Sequence, residues 1–436
     1  MQPVRGSGPG EYRRAYKGYV LGALTLVNTL GYLDGVVIVL LLQPIKADLH
    51  LSDTQLGFLT GIACALFYAT LGVPIARWAD RGNRVTITAA AIGLWGLTIM
   101  AGVWVRNFAQ LAVARVAAGI GEAGCMPPTY SLVGDYFTGP AQRTRAMAVY
   151  WASGSLASLI GFGAGGWLND RYGWRLTFFL MGIPGLAAAV LVKTTIAEPR
   201  MRAGFSNGTQ APPPKMGDVL RTLWRQQSSR RLGIAITLLW TMASGLAPWY
   251  AAFMMRSHAM HTAELGVWLG LICGLGSMTG TLLGGYASGR WFAGDEGTQM
   301  RISAIGVAAV VPCFILFLLL PQKAQALTAL APLMVVFNIF MGPTFALLQR
   351  LVVDEMRATT LAVVMLFANL IGMGIGPQVV GVLSDWLQPA LGSDSLRYAM
   401  LLMSFVALSS AWHFWKVSAT VAEDLRRVRS EGALNR

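Results

Sequence analysis

The chain has 436 residues, 55% of them hydrophobic and only 12% charged, about half the charged share of an ordinary soluble protein. That composition, with the apolar residues in long uninterrupted blocks, excludes a water-soluble globular domain and makes the bilayer the solvent. The net charge of +14 is spread over the flanks of the apolar blocks, where anionic lipid accounts for it, so no nucleic acid is called for.

A helix needs about 20 apolar residues to cross a hydrocarbon core of about 30 Å, and twelve such runs follow one another. Residues 1–17 are polar, and the first run is too long for a cleavable signal and has no small-residue cleavage site after it. Span 1, residues 19–42, carries Asn28, Tyr32 and the carboxylate Asp34. Span 2 (54–76) and span 3 (85–105) flank the loop Ala76-Arg77-Trp78-Ala79-Asp80-Arg81-Gly82-Asn83-Arg84. Span 4 (109–133) holds Arg115 and Glu122. Ionisable groups at bilayer depth cost about 2.5–3.5 kcal/mol on insertion scales, so these positions are functional candidates by default. Pro127 and Pro128, with glycines around Glu122, are expected to bend or locally unwind span 4, because proline removes backbone bonds and clashes with the preceding turn.

Spans 5 (146–168) and 6 (175–196) close the first half. Residues 197–231 are polar and basic and contain Pro212, Pro213 and Pro214, which reads as a linker. Asn207-Gly208-Thr209 within it matches a glycosylation sequon but falls on the expected cytoplasmic side. Spans 7–12 follow at 232–255, 264–288, 302–320, 326–349, 358–383 and 398–416. They contain no deeply placed charge, but offer Trp240, Trp249, Tyr250, Phe253, Asn338 and Asn369. A polar first half and an aromatic second half suit a cargo with a charged end and an apolar body. The expected organisation is a six-helix bundle over 1–196, a linker over 197–231 and a second bundle over 232–436 ending in a short tail.

With the N-terminus inside, inner segments carry 26 of the 34 lysines and arginines and outer loops 7, Arg115 being the remaining one. That asymmetry places both termini and the linker in the cytoplasm. An internal repeat joins the halves: Arg143, Ala148, Val149, Gly166, Leu168 and Asp170 recur as Arg357, Ala362, Val363, Gly381, Leu383 and Asp385. A parallel repeat of this kind is the arrangement in which two bundles rock about a midplane site.

Other patterns carry no chemistry. Gly161 to Gly166 fits G-x-G-x-x-G but lies inside a span, where it reads as close helix packing rather than a dinucleotide loop. Gly276, Gly280 and Gly284 read the same way. Cys64, Cys125, Cys273 and Cys313 all fall in spans without Cys-x-x-Cys spacing and read as apolar packers, not redox or metal groups. Neither a hydrolase nor a nucleotide-binding motif is present, so no enzyme activity, metal or cofactor is expected.

The loop 76–84, twelve spans and a central linker resemble the major facilitator superfamily. More narrowly, Tyr32-Leu33-Asp34, Gln43-Pro44-Ile45-Lys46-Ala47-Asp48-Leu49, the run from Arg115 to Gly124 and Asp135-Tyr136-Phe137 are similar to the bacterial Spinster-like branch. The resemblance implies an all-α integral membrane protein with twelve helices in two pseudo-symmetric bundles. It also implies secondary transport, often proton-coupled, with eukaryotic relatives handling lysophospholipids and phosphorylated sphingoid bases. One departure stands out: the branch usually has arginine after the span 1 aspartate, and here Gly35 follows Asp34. That removes a headgroup contact and favours a monocarboxylate, or an amphiphile of lower charge, over a phosphate-bearing lipid.

Helix rise puts Asp34 about 12 Å from the outer end of span 1, and Arg115 and Glu122 about 6 and 16 Å into span 4, too far apart along one helix to pair directly. The expectation is that Asp34 carries the proton, Arg115 anchors an anion and Glu122 is a second titratable group. Asn28, Tyr32, Trp240, Trp249, Tyr250, Asn338 and Asn369 would line the solute path. Asp80, Arg81, Arg84, Arg143, Arg350 and Arg357 are the candidate cytoplasmic gate; Asp80 aligns with Gly289 in the repeat, so such a latch would be one-sided. The expected partners are a small organic or amphipathic solute, protons and the lipid bilayer of a bacterial inner or plasma membrane, with the protein a monomer. Within transport the alternative is a proton-coupled exporter of drugs or other hydrophobic compounds. Outside transport it is a sensor that binds without turnover.

Overall fold

The computed structural model describes residues 12–63, 65, 74, 75, 78, 82–199, 216–290, 295–353 and 356–434. Asp80, Arg81, Cys64, the three linker prolines and the sequon lie outside them. The chain divides into two compact units, one of residues 1–209 with 260–274, the other of 210–259 with 275–436.

Unit 1 is built on α1 (Arg14–Leu49), α2 (Asp53–Thr60), α3 (Arg84–Ala101), α4 (Phe108–Tyr136), α5 (Pro140–Trp151) and α6 (Ser153–Thr195). Short polar side chains start three of these helices by taking an orphan backbone N–H, as helix N-termini require. Ser52 forms a reciprocal capping box with Gln55, Asn83 accepts from Thr86 N and Asn107 from Gln110 N. α3 packs on α4 and α6, and α1 on α6 and α4. In α6 the backbone breaks at Gly173, whose φ of 76° lies in the left-handed region that glycine enters without a Cβ penalty. The 54 residues from Gln142 to Thr195 are thus two crossings rather than one.

Unit 2 holds α7 (Met216–Arg225), α8 (Gln227–Leu246), α9 (Trp249–His258), α11 (Glu296–Leu319), α12 (Lys323–Arg350) and α13 (Arg357–Phe367). A π-helical segment, Ala368–Ile375, follows, then α14 (Gly376–Leu391), α15 (Ser395–Ser404) and α16 (Val406–Leu434). α10 (Thr262–Arg290) contributes to both units. Seven helices among the described residues are long and apolar enough to cross a membrane, or eight with the bent pair α8–α9 taken as one. The stretch Thr359–Val428 is 70 residues long and holds two crossings.

Three details depart from the uniform spans read in the sequence. Span 7 bends by 43° between α8 and α9, at Pro248, which has no N–H to continue the helix. Span 11 loosens into the π segment. Span 4 stays an unbroken helix through Pro127 and Pro128; the Thr129 hydroxyl donates back to the carbonyls of Cys125 (2.7 Å) and Met126 (3.0 Å). The linker also holds a helix that its polar composition hid: α7 buries Val219 and Leu223 and exposes Leu220 and Trp224.

The glycine repeats serve close packing. A Cβ on Gly161 would stand 2.9 Å from Val36 Cγ1, so this glycine lets α6 approach α1 beside Asp34. Gly276 would meet Met334 Cβ at 2.9 Å, Gly280 the backbone oxygen of Val335 and, at 2.8 Å, Asn338 Cβ, and Gly284 the oxygen of Ile339. One face of α10 therefore lies directly on the α12 backbone, the contact that small residues at four-residue spacing permit in lipid. Gly280→Leu is expected to destabilise the protein by about 1–3 kcal/mol through overpacking, read as a lower unfolding midpoint in detergent by tryptophan fluorescence; an unchanged midpoint would contradict this packing.

Candidate functional site: a buried ion pair and an aromatic cavity

In unit 1 two buried charges from within apolar spans meet. Arg115 Nη1 donates to Asp34 Oδ2 at 2.5 Å, with the side chains 6% and 2% exposed. Arg115 Nε also reaches the Leu59 carbonyl at 3.5 Å, so α4 grips both α1 and α2 through one side chain. Asp34 Oδ1 is buried and has no hydrogen-bond partner among the described residues. Glu122, two turns along α4 from Arg115, is half-buried and lies within electrostatic range of both Asp34 and Arg115. The pair is thus acid and base from different helices, with a second acid close by.

Around this centre, Asn28 Nδ2 donates to Ser153 Oγ at 2.6 Å, joining α1 to the start of α6, and Tyr32 is half-buried one turn from Asn28. Gly35 is exposed, and a Cβ there would meet nothing within 4 Å.

In unit 2 a cavity of about 250 Å³ is lined by Trp240, Ser244, Tyr250, Phe314, Phe337 and Asn338, among others. Its walls are aromatic with a few neutral polar groups. Trp240 Nε1 is buried and has no acceptor, while Asn338 Nδ2 is bonded to the Met334 carbonyl at 2.8 Å. Of the other candidates in this half, Trp249 and Phe253 are fully buried, and Phe253 packs on Phe317 with centroids 5.1 Å apart; neither lines the cavity. Asn369 sits half-buried in the π segment.

Of the gate candidates, Asp80 and Arg81 lie outside the described residues, and the other four are described within their own units. Arg84 has no exposed surface; it donates to Glu198 Oε1 through Nε (3.1 Å) and Nη2 (2.5 Å), to Ser131 Oγ (2.8 Å), and pairs with Asp135 at 2.7 Å. Glu198 also accepts from the Arg84 backbone N–H at 2.8 Å. Arg84 is therefore the centre of a structural knot at one end of unit 1 rather than an exposed gate residue. The sequence reading passed over Glu198, whose one signal was an acid followed by proline at the end of span 6. Arg143 is exposed and lies over Gly134. Arg350 pairs with Glu296 at 2.5 Å, and Arg357 Nε donates to the Gln349 carbonyl at 3.1 Å. Cys125 is buried, and Cys273 and Cys313 are half-buried.

The model of the Major Facilitator Superfamily matches residues 24–377. An MFS-type efflux pump of Mycolicibacterium smegmatis is 33% identical over 417 residues, 95% of either chain. Human protein spinster homolog 1 is 23% identical over 456 residues, 98% of this chain and 85% of its own. A crystal structure of a bacterial homolog of the human lysosomal transporter Spinster, inward-facing and unoccupied, superposes with a TM-score of 0.83 at 26% identity. The match covers 94% of this chain and 99% of that one.

Two expectations follow from this geometry. Glu198→Ala leaves a fully buried guanidinium with only Asp135 as counter-charge, and should cost about 3 kcal/mol, the lower end for a broken buried pair; thermal unfolding of the purified variant checks it. Gly35→Arg, by contrast, meets open space at its Cβ, so it should cost no more than the roughly 2.5–3.5 kcal/mol of a cation at bilayer depth, read in the same unfolding measurement. A larger loss of stability there would show that the position is closed.

Proposed function

The chain belongs to the major facilitator superfamily, and from that premise we propose that it moves a small organic anion or an amphipathic, lipid-like solute by alternating access, coupled to protons through Asp34, Arg115 and Glu122. One observation carries this reading: the buried Asp34–Arg115 pair leaves an Asp34 oxygen without a partner among the described residues. A purely structural pair is expected to satisfy both carboxylate oxygens, because an orphaned polar atom in a low-dielectric interior is costly. A proton arriving on Asp34 cancels its charge and removes one counter-charge from the buried Arg115 guanidinium. Losing the acid of a buried pair is unfavourable until another anion takes its place. Glu122 or the carboxylate of a solute supplies that anion, so proton and anion binding reinforce each other. That reciprocity is what coupling between two sites means.

The cavity of unit 2, taken by itself, suits the apolar part of such a cargo: its walls are aromatic, and the buried Trp240 N–H suits one acceptor oxygen. On this reading Asn28 and Tyr32 in unit 1 and Trp240, Tyr250 and Asn338 in unit 2 are solute-contacting residues, and the protein works as a monomer in a bacterial inner membrane with both termini in the cytoplasm. A second reading, a proton-coupled exporter of hydrophobic compounds, is favoured by the 33% identity to an efflux pump. It uses the same ion pair with a neutral or cationic cargo.

Liposomes holding the purified protein and an internal pH dye separate these readings. Fatty acids, lysolipids, small carboxylates and hydrophobic dyes are tested with wild type, Asp34→Asn and Arg115→Ala. An anionic or amphipathic solute should drive proton movement in wild type, falling by at least about tenfold in both variants, within the usual 1–3 kcal/mol of a coupling free energy. Response to dyes alone selects the exporter. Undiminished proton flux in Asp34→Asn would mean that the pair merely orients α1 and α4.

A further inference from the structure

Four buried or half-buried cations of unit 1 are met by carboxylates: Lys46 by Asp53, Arg84 by Glu198, Arg115 by Asp34 and Arg175 by Asp48. At one end of unit 2 the pattern fails. α8 and α16 are stitched together there by Ser228 N to Asp424 Oδ2 (2.9 Å), Ser228 Oγ with Thr420 Oγ1 (2.7 Å) and Ser410 Oγ to the Ala235 carbonyl (2.8 Å). This antiparallel register sets Arg231 of α8 against Trp412, His413 and Lys416 of α16. The Arg231 guanidinium carbon lies 5.4 Å and the Lys416 ammonium 5.8 Å from the centre of the Trp412 ring, and the His413 ring stands edge-on to it at 4.8 Å.

No carboxylate among the described residues pairs with either cation. Asp424, an acid close by in the register, is buried and committed to the Ser228 N–H at the start of α8. Glu423 is paired with Arg427. Among the described residues Arg231 Nε and His413 Nδ1 are both buried without a hydrogen-bond partner. Two like charges sharing one aromatic ring attract it but repel each other, and no ion pair among the described residues offsets that. The Trp412 ring is 51% exposed, Trp415 50% and the nearby Trp224 68%. Arg230 lies 5.7 Å from the Trp224 ring and extends the basic surface. Arg231 precedes the apolar run of span 7 and Lys416 ends that of span 12, so both charges sit at headgroup level, where tryptophan also concentrates.

We propose that Arg231 and Lys416, braced on Trp412, form a binding site for the phosphodiester of an anionic phospholipid, in the cytoplasmic leaflet on the orientation given above. A phosphodiester oxygen pair matches the planar fork of an arginine, and the lysine supplies a second point charge. The glycerol and acyl chains then run along the exposed tryptophan faces, which prefer the interface between chains and headgroups. Basic pockets between helices on the cytoplasmic side are where such headgroups bind. The site is separate from the Asp34–Arg115 pair and does not depend on what the protein transports.

The test is native mass spectrometry of the full-length, detergent-purified protein titrated with phosphatidylglycerol or phosphatidylcholine of identical chains. Wild type should retain phosphatidylglycerol preferentially. Arg231→Gln with Lys416→Gln should weaken that binding about thirtyfold, the equivalent of about 1 kcal/mol for each cation lost at the surface, and leave phosphatidylcholine unchanged. Arg221→Gln with Arg426→Gln, two exposed cations outside the cluster, should change neither. Lys416→Gln alone, at an exposed side chain, carries the test if the double variant fails to fold, with about a fivefold loss expected. Equal retention of both lipids, an equal loss in the Arg221/Arg426 control, or displacement of the lipid by millimolar inorganic phosphate would overturn the proposal. The first would show no headgroup selection, the second a diffuse basic surface and the third a site for a soluble anion.

Discussion

A charge buried in a medium without water must find its counter-charge inside the protein. Unit 1 is organised by that rule. Asp34 and Arg115 bind α1 to α4, and Arg84, Glu198 and Asp135 bind α3 to the end of α6 and to α4. The two clusters differ in how completely they obey it. Around Arg84 the guanidinium and both Glu198 oxygens are engaged, which makes a rigid anchor. At Asp34 one oxygen is left over among the described residues, so that pair is the less completely satisfied of the two.

Unit 2 solves the same solvent problem by avoiding charge. Its core is an aromatic cluster of Tyr250, Phe253, Phe314 and Phe317, with ring centroids 5.1–5.9 Å apart. Its crossings are less regular: span 7 is bent, and span 11 runs through a π segment. Both irregularities touch, since Gly372 and Gly376 lie against Trp240, Thr241 and Gly245 of α8, with a Cβ on Gly376 standing 2.8 Å from Gly245 Cα. Trp240, which lines the cavity, is therefore held from behind by the segment most loosely wound. π segments recur at functional sites because they supply a local change of winding without unfolding the helix.

Charges at the ends of the spans fall into two sorts. Arg350 with Glu296 and Arg397 with Asp394 are tied within unit 2, and pairs this exposed contribute little to stability. Arg231 and Lys416 lie over the Trp412 ring without a paired carboxylate among the described residues, which is the ground for the lipid phosphate site proposed above.

The sequence by itself determined the family, the helical class and the identity of the buried charges, because each rests on composition along a single segment: long apolar runs, a parallel repeat, and Asp34, Arg115 and Glu122 standing alone within such runs. It also assigned the glycine triplet of span 8 to close packing, since four-residue spacing marks one helix face. Which charge meets which was decided only by the tertiary structure. The Arg115 contact with Asp34 spans 81 residues and the Arg84 contact with Glu198 spans 114, and no local periodicity encodes a distance of that kind. Arg84 stood in a basic loop motif and read as a gate, until folding drove it between Glu198 and Asp135. Trp249 and Tyr250 are neighbours of the same chemical kind, yet only Tyr250 faces the cavity, because the bend at Pro248 sets the rotation of α9. Sequence supplies the inventory of groups that cannot be left alone in lipid; packing alone chooses their partners and, among the described residues, leaves one Asp34 oxygen without any.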